Sequence, residues 1–321
     1  MTQDITIPQI ANYLLRNSNS INSTGLYNGK AGISLSLFIA SGYLLDEHLE
    51  DVAYHMLQES LIIKNNDISF ENGWAGIGYA LLYLIEKKYL EADFDELFGE
   101  QYEYILKSNR SNIENDPLIL VNTMRVVYFL SKVRTVKKED SQINELIKKI
   151  FEGLEFFLSI QFHDFDDIRY IRNKSDVLNI YQTYLKLIDY SGYAHFSHVV
   201  LDDYAALYRK GKIASSLETG HYLKLLADKN SINGFEDVIC DNIKYGNKNI
   251  YPSFLSLKER IDLGKLINND KSDDPLCINN YEDLKMQDLL NSVDDKSNPL
   301  GYGTGLGRFL LYCIDKDIEL L

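Results

Sequence analysis

The residues of this 321-residue chain that could hold a metal or move a proton are few and widely spaced. Cys240, Cys277 and Cys313 form no C-x-x-C pair, and an odd count argues against a disulfide framework, so they read as reduced thiols. His163-Asp164, followed by Asp166-Asp167, would suit a hydrolytic metal site, but such a site also needs an earlier histidine and a later aspartate on neighbouring helices. His48 and His55 fall on an amphipathic outer helix, so the acidic run reads as a solvated helix end. Asp202-Asp203 and Asp273-Asp274 lack the spacing of a magnesium motif and read as a helix cap and a loop. Glycine at 301, 303, 305 and 307 has the composition of a phosphate cradle, yet no strand precedes it and no G-K-[ST] closes it.

The glycines fit a different pattern. Asn28-Gly29-Lys30-Ala31-Gly32-Ile33 and Asn72-Gly73-Trp74-Ala75-Gly76-Ile77 agree at five of six positions, lie 44 residues apart, and each opens a long apolar segment. A fixed period in this range marks a repeat architecture. Gly305-Leu306-Gly307 lines up with Gly76-Ile77-Gly78 and announces a last apolar helix that carries Cys313 on its core side. Glycine in such turns lets a chain enter a helix tightly and lets helix ends crowd together.

The repeated unit is a pair of helices. Ile33 to Ala40 is apolar or small on every side, as in a helix enclosed by others. The next segment places Leu49, Val52, Ala53, Met56, Leu57 and Leu61 on one stripe with charge between them, as in a helix with one wet face. Enclosed helices are expected to open near residues 29, 73, 117, 175, 216, 253 and 302, the third running from Pro117 through Leu130, with a polar excursion over residues 268–298. Only 5 prolines and ordinary fractions of apolar and charged residues agree with an all-α chain. The net charge of -14 repels nucleic acid and anionic lipid, and no apolar run is long enough to span a membrane, so a cytoplasmic protein is expected.

Seven hairpins whose inner members are apolar all round leave no open row, because one inner side would face water. The expectation is one domain over residues 1–321, a closed double-layered α/α toroid. The turns that open its inner helices would then share one mouth. Asn28, Lys30, Glu71, Asn72, Trp74, Glu218, His221, Tyr302 and Thr304 are its polar and aromatic candidates, beside inner-helix N-termini that would favour an anionic or carbonyl-bearing ligand.

In its pitch and its N-G-x-A-G-I turns the chain resembles the lanthionine synthetase C (LanC-like) family of lanthipeptide biosynthesis. The residues that carry this are 25–33, 72–78 and 301–307. The resemblance implies a toroid whose cavity receives a precursor peptide, and a zinc, held by two cysteines and a histidine in W-C-x-G and C-H-G motifs, that activates a substrate thiol. This sequence departs there. Its only tryptophan, Trp74, precedes Ala75, no Cys-His dipeptide occurs, and the loops Ala214 to His221 and Ile250 to Phe254 contain no cysteine. With the motif positions replaced, no metal cofactor is expected, and convergence of Cys240 and Cys277 with His221 is the alternative to separate buried thiols.

The resemblance therefore implies a zinc-less protein of peptide maturation, either a binding or scaffolding partner of the precursor peptide and of other peptide-modifying enzymes, or a cyclase with altered chemistry. From another class, a toroid glycoside hydrolase would use two carboxylates at the mouth, such as Glu71 and Glu218, as acid and base.

Overall fold

A computed structural model describes residues 6–63, 66–115, 117–138, 140–165, 174–230, 232–251, 255–267, 286–293 and 299–315. Among them secondary structure is helical throughout, with no strand. In chain order the helices are α1 (Ile7–Asn17), α2 (Lys30–Leu44), α3 (Glu47–Ile62), α4 (Trp74–Glu86), α5 (Phe94–Asn115), α6 (Pro117–Thr123), α7 (Val126–Val136) and α8 (Ser141–His163). They continue as α9 (Lys174–Ser191), α10 (His198–Arg209), α11 (Leu217–Asn230), α12 (Glu236–Lys248), α13 (Leu257–Ile267), α14 (Met286–Ser292) and α15 (Leu306–Ile314). The chain divides into two compact units, Met1–Ile105 with Tyr251–Leu321, and Leu106–Ile250.

In the first unit every residue from Ala31 to Ser41 of α2 is buried, as is every residue from Trp74 to Leu84 of α4 and from Leu306 to Tyr312 of α15. Helices α2 and α4 pack on each other, and α15 packs on α2, so the last apolar helix of the chain lies beside the first. Enclosure requires that buried hydroxyls find acceptors: Ser34 donates to the Ala53 carbonyl of α3 at 2.6 Å, and Ser36 to its own helix at the Gly32 carbonyl, 2.9 Å. Helix α3 begins at Asp46, whose carboxylate accepts from the backbone N–H groups of His48 and Leu49. It buries only the stripe Leu49, Ala53, Met56, Leu57 and Ser60. This alternation of an enclosed and a one-sided helix is what the pattern of apolar residues dictates.

The second unit repeats the alternation less cleanly. Helix α7 packs on α9 and α9 on α11, while α8 packs on α10 and α10 on α12. The third enclosed helix does not run from Pro117 through Leu130. Thr123 turns its hydroxyl back onto the Ile119 carbonyl at 3.0 Å, the chain breaks at Met124-Arg125, and it is α7 that is buried from Val126 to Val133. Nor are α9 and α11 enclosed, nor is α13 in the first unit: α11 buries Leu217, Thr219, Gly220, Leu223 and Leu226, and leaves Lys224 and Asp228 exposed. Asp202 and Asp203 lie inside α10 rather than at its cap, because the chain enters that helix at Ser197. Asp166-Asp167, Cys277, Asp273-Asp274 and most of the 268–298 excursion lie outside the described residues.

Buried or half-buried side chains fasten this unit through Asn242 and Glu155, among others. Asn242, fully buried on α12, accepts from the Tyr204 hydroxyl at 3.2 Å and the Ser216 N–H at 2.9 Å, and donates to the Val238 carbonyl at 2.8 Å. Glu155 on α8 accepts from the Tyr184 hydroxyl and the Ser197 N–H, each at 2.8 Å, and so holds α9 and the start of α10.

Burial pushes the Glu155 carboxyl above its usual range, against the lowering effect of those two hydrogen bonds. The folded protein then holds this proton to a higher pH than the unfolded chain. The contribution of Glu155 to stability falls as pH rises from about 4.3 through the folded pKa. Chemical denaturation at pH 4 and pH 7 is expected to show this decline in the wild type and to lack it in Glu155→Gln, which keeps an acceptor. Glu155→Ala removes both acceptor contacts and is expected to cost about 2 to 3 kcal/mol at pH 4 and less at pH 7.

Candidate functional site

Three glycine turns of the first unit are the same structure. Gly29, Gly73 and Gly305 are the N-caps of α2, α4 and α15, all in extended conformation. In each, the first helical N–H returns to the carbonyl seven residues earlier: Lys30 to Ser23 (2.9 Å), Trp74 to Asp67 (2.9 Å) and Leu306 to Pro299 (2.8 Å). This corrects the alignment read from the sequence. Gly305 takes the place of Gly29 and Gly73 rather than that of Gly76, and the place of Gly32 and Gly76 falls to Arg308.

The turns interlock. Tyr27 is their hub: its N–H donates to the Glu71 carbonyl at 2.7 Å, its carbonyl accepts from the Gly303 N–H at 3.0 Å, and its ring lies 6.2 Å from Phe70 and 6.3 Å from Tyr302. Close approach explains the glycines. A Cβ at Gly25 would meet the Asn72 backbone, one at Gly301 the Tyr27 carbonyl, and one at Gly303 the Tyr27 ring at 2.6 Å. Nothing in the sequence singles out Tyr27, because its place in the repeat is held by Glu71 and Gly303 in the other two turns.

Seven of the nine residues expected at the mouth lie on these turns. Asn72 is exposed; Asn28, Glu71 and Thr304 are half-buried. Lys30 is committed to an ion pair with Glu59 of α3. Trp74 is 5% exposed with its ring edge-on to Phe98 at 5.8 Å, and Tyr302 is 1% exposed against Tyr27, so both are packing residues in this conformation. Glu218 and His221 are half-buried in the first turns of α11 and belong to the second unit, so Glu71 and Glu218, the carboxylates of the glycosidase alternative, lie in different units. Burial, reinforced by Lys224, pushes the His221 imidazole below its usual range. Its neutral form therefore supports folding above about pH 6.5, and that support is lost as pH falls towards the folded pKa.

The expected attraction of these helix N-termini for an anion is reduced. The turns themselves consume the first N–H of all three helices, and the second of α2 and α15, where Ala31 donates to Thr24 at 3.2 Å and Gly307 to Leu300 at 3.1 Å. The polar side chains at the surface of the turns are those of Asn72, which is exposed, and of Glu71 and Thr304, which are half-buried, while the Asn28 side-chain oxygen is buried.

Cys277, one of the three residues of the alternative zinc set, lies outside the described residues. Among the described residues no group of three His, Cys, Asp or Glu side chains converges as a metal site, Cys240 is exposed on α12, and Cys313 is half-exposed on α15. His163 and Asp164 form a local pair at 2.8 Å at the end of α8, with the imidazole 87% exposed, as a solvated helix end should. No helix among the described residues is long and apolar enough to cross a membrane. In comparisons with known proteins, no family model, no curated protein and no solved structure matches this chain.

Proposed function

We propose that this chain is a lanthionine synthetase C-like α/α toroid of about seven hairpins, acting in the cytoplasm in the maturation of a ribosomally made peptide. In this reading it works without zinc, as a binding or scaffolding partner of the precursor peptide or as a cyclase of altered chemistry. The observation that carries the reading is the triple turn. One seven-residue hydrogen-bonded return is used to open α2, α4 and α15, and α15 lies against α2, as the last and first repeats of a closed ring do. The alternation of enclosed and one-sided helices supports it, and the polar side chains on the turns give a peptide something to bind.

The test begins with the genes flanking the coding sequence, which should include a short peptide with Ser, Thr and Cys residues beside a dehydratase-like gene. Calorimetric titration of that peptide should give saturable binding. Asn72→Ala and Thr304→Val are expected to weaken it by about tenfold together, roughly 1.4 kcal/mol, with the helical circular dichroism intact. Elemental analysis of protein purified without chelators should find well under one zinc per chain. Unchanged affinity in the double variant would move the peptide away from these turns, and carbohydrate genes in place of a peptide gene would favour the hydrolase.

A further inference from the structure

A cavity of about 450 Å³ in the second unit stands apart from the glycine turns. It lies between the end of α7, the first turns of α8 and the loop joining α9 to α10, and its volume is within the range of small-molecule sites. Three features give it a direction. At one end is Arg134, whose guanidinium is oriented by a hydrogen bond from Nη2 to the Ser191 carbonyl at the end of α9, with no carboxylate partner among the described residues. Two buried hydroxyls at this corner, Ser131 one turn before Arg134 and Ser191 itself, have no hydrogen-bond partner among the described residues.

Along the cavity runs Tyr193, whose ring is stacked on Phe151 at 4.3 Å with 7° between the planes, so its position is set by packing rather than by solvent. Burial, and then Glu155 and Glu152, push the Tyr193 hydroxyl above its usual range, so it stays a neutral donor. Ile147 is buried and supplies an apolar wall. At the rim, Glu145 is already paired with Lys149 at 3.1 Å, while Lys148 reaches Glu152 at 3.5 Å through solvent-exposed side chains, a weak contact. In a chain of net charge -14, this concave site with an unneutralised guanidinium is suited to an anion.

We propose that this cavity binds a small carboxylate with a flat or apolar body, the carboxylate on Arg134 and the body along Tyr193 and Ile147. The site is independent of the peptide reading of the glycine turns. Arg134 presents fixed donors suited to a carboxylate, and a ring laid on an ordered tyrosine gives up little conformational freedom.

The test uses 3-phenylpropionate and 3-phenylpropionamide, which differ only in the charged end. Titration of the full chain, followed by amide shifts of Gly192, Ala194 and His195, should show saturation by the acid with a Kd on the order of 1 mM and at least about tenfold weaker binding of the amide. Arg134→Gln should abolish that preference. Should Arg134→Gln prove misfolded by circular dichroism, Ala194→Trp carries the test, because it fills the cavity from an exposed loop position without touching Arg134, and it should remove binding of the acid. Equal binding of acid and amide, no shift of these loop amides at about 20 mM acid, or undiminished binding in Ala194→Trp would each overturn the proposal.

Discussion

Gly32→Ala should be among the most damaging single-methyl changes available in this protein, with an expected loss of about 3 to 5 kcal/mol in urea denaturation. The added Cβ would run into the Leu26 carbonyl oxygen and approach the Tyr302 Cβ to 2.6 Å. A backbone oxygen has no rotamer to escape into. The turn would have to move as a body, and with it would go the Ala31 to Thr24 hydrogen bond and the contacts through which Tyr27 joins the three turns. Gly76→Ala should behave alike, since its Cβ would strike the Phe70 carbonyl in the equivalent place. Gly99→Ala is the control. Gly99 lies within α5 with nothing within 4 Å of an added Cβ, so the same substitution there should stabilise the helix by about 0.5 to 1 kcal/mol. A Gly32→Ala protein as stable as the wild type would show that the turns do not interlock as described.

Asp262→Ala is expected to cost a similar amount, about 3 to 5 kcal/mol, for an electrostatic reason. Arg308 is fully buried on α15, and its guanidinium donates to Asp262 on α13, which also receives Lys258 from one turn away on the same helix. Burial works against the charge of Arg308, and the Asp262 carboxylate, with smaller contributions from Tyr302 and Tyr27, more than restores it, so the group stays a cation inside the protein. Removing Asp262 takes away the carboxylate that Arg308 faces while leaving the cation in place. The double variant Asp262→Ala with Arg308→Met removes charge from both sides and should recover most of the loss. If the double variant is no more stable than Asp262→Ala alone, then the two residues are not coupled and the pair is not what joins α13 to α15.

Much of the architecture was legible in the amino-acid pattern. Eleven consecutive buried positions in α2, and as many in α4, follow from side chains that are apolar or small on every side, and the single wet face of α3 follows from charges interleaved at helical spacing. These are local facts, fixed by residue type and the 3.6-residue turn. A 44-residue step from Gly73 lands on Pro117, but α6 stops at Thr123 and the buried helix begins at Val126. The candidate mouth was legible only in part. The turns are where the glycines put them, but the aromatic character of Trp74 and Tyr302 cannot distinguish a ring that meets a ligand from one that fills a core.

The sequence by itself determined an all-helical chain, the alternation of enclosed and one-sided helices, and the sites of the close turns, because each of these depends on residues near one another along the chain. Only the tertiary structure decided the register of the third turn, the role of Tyr27 as the joint between turns, the pairing of Arg308 with Asp262, and the oriented guanidinium of Arg134 in its cavity. Those features join residues far apart in sequence, and a backbone N–H, a buried arginine or a tyrosine ring carries no mark of its partner until folding brings the two together.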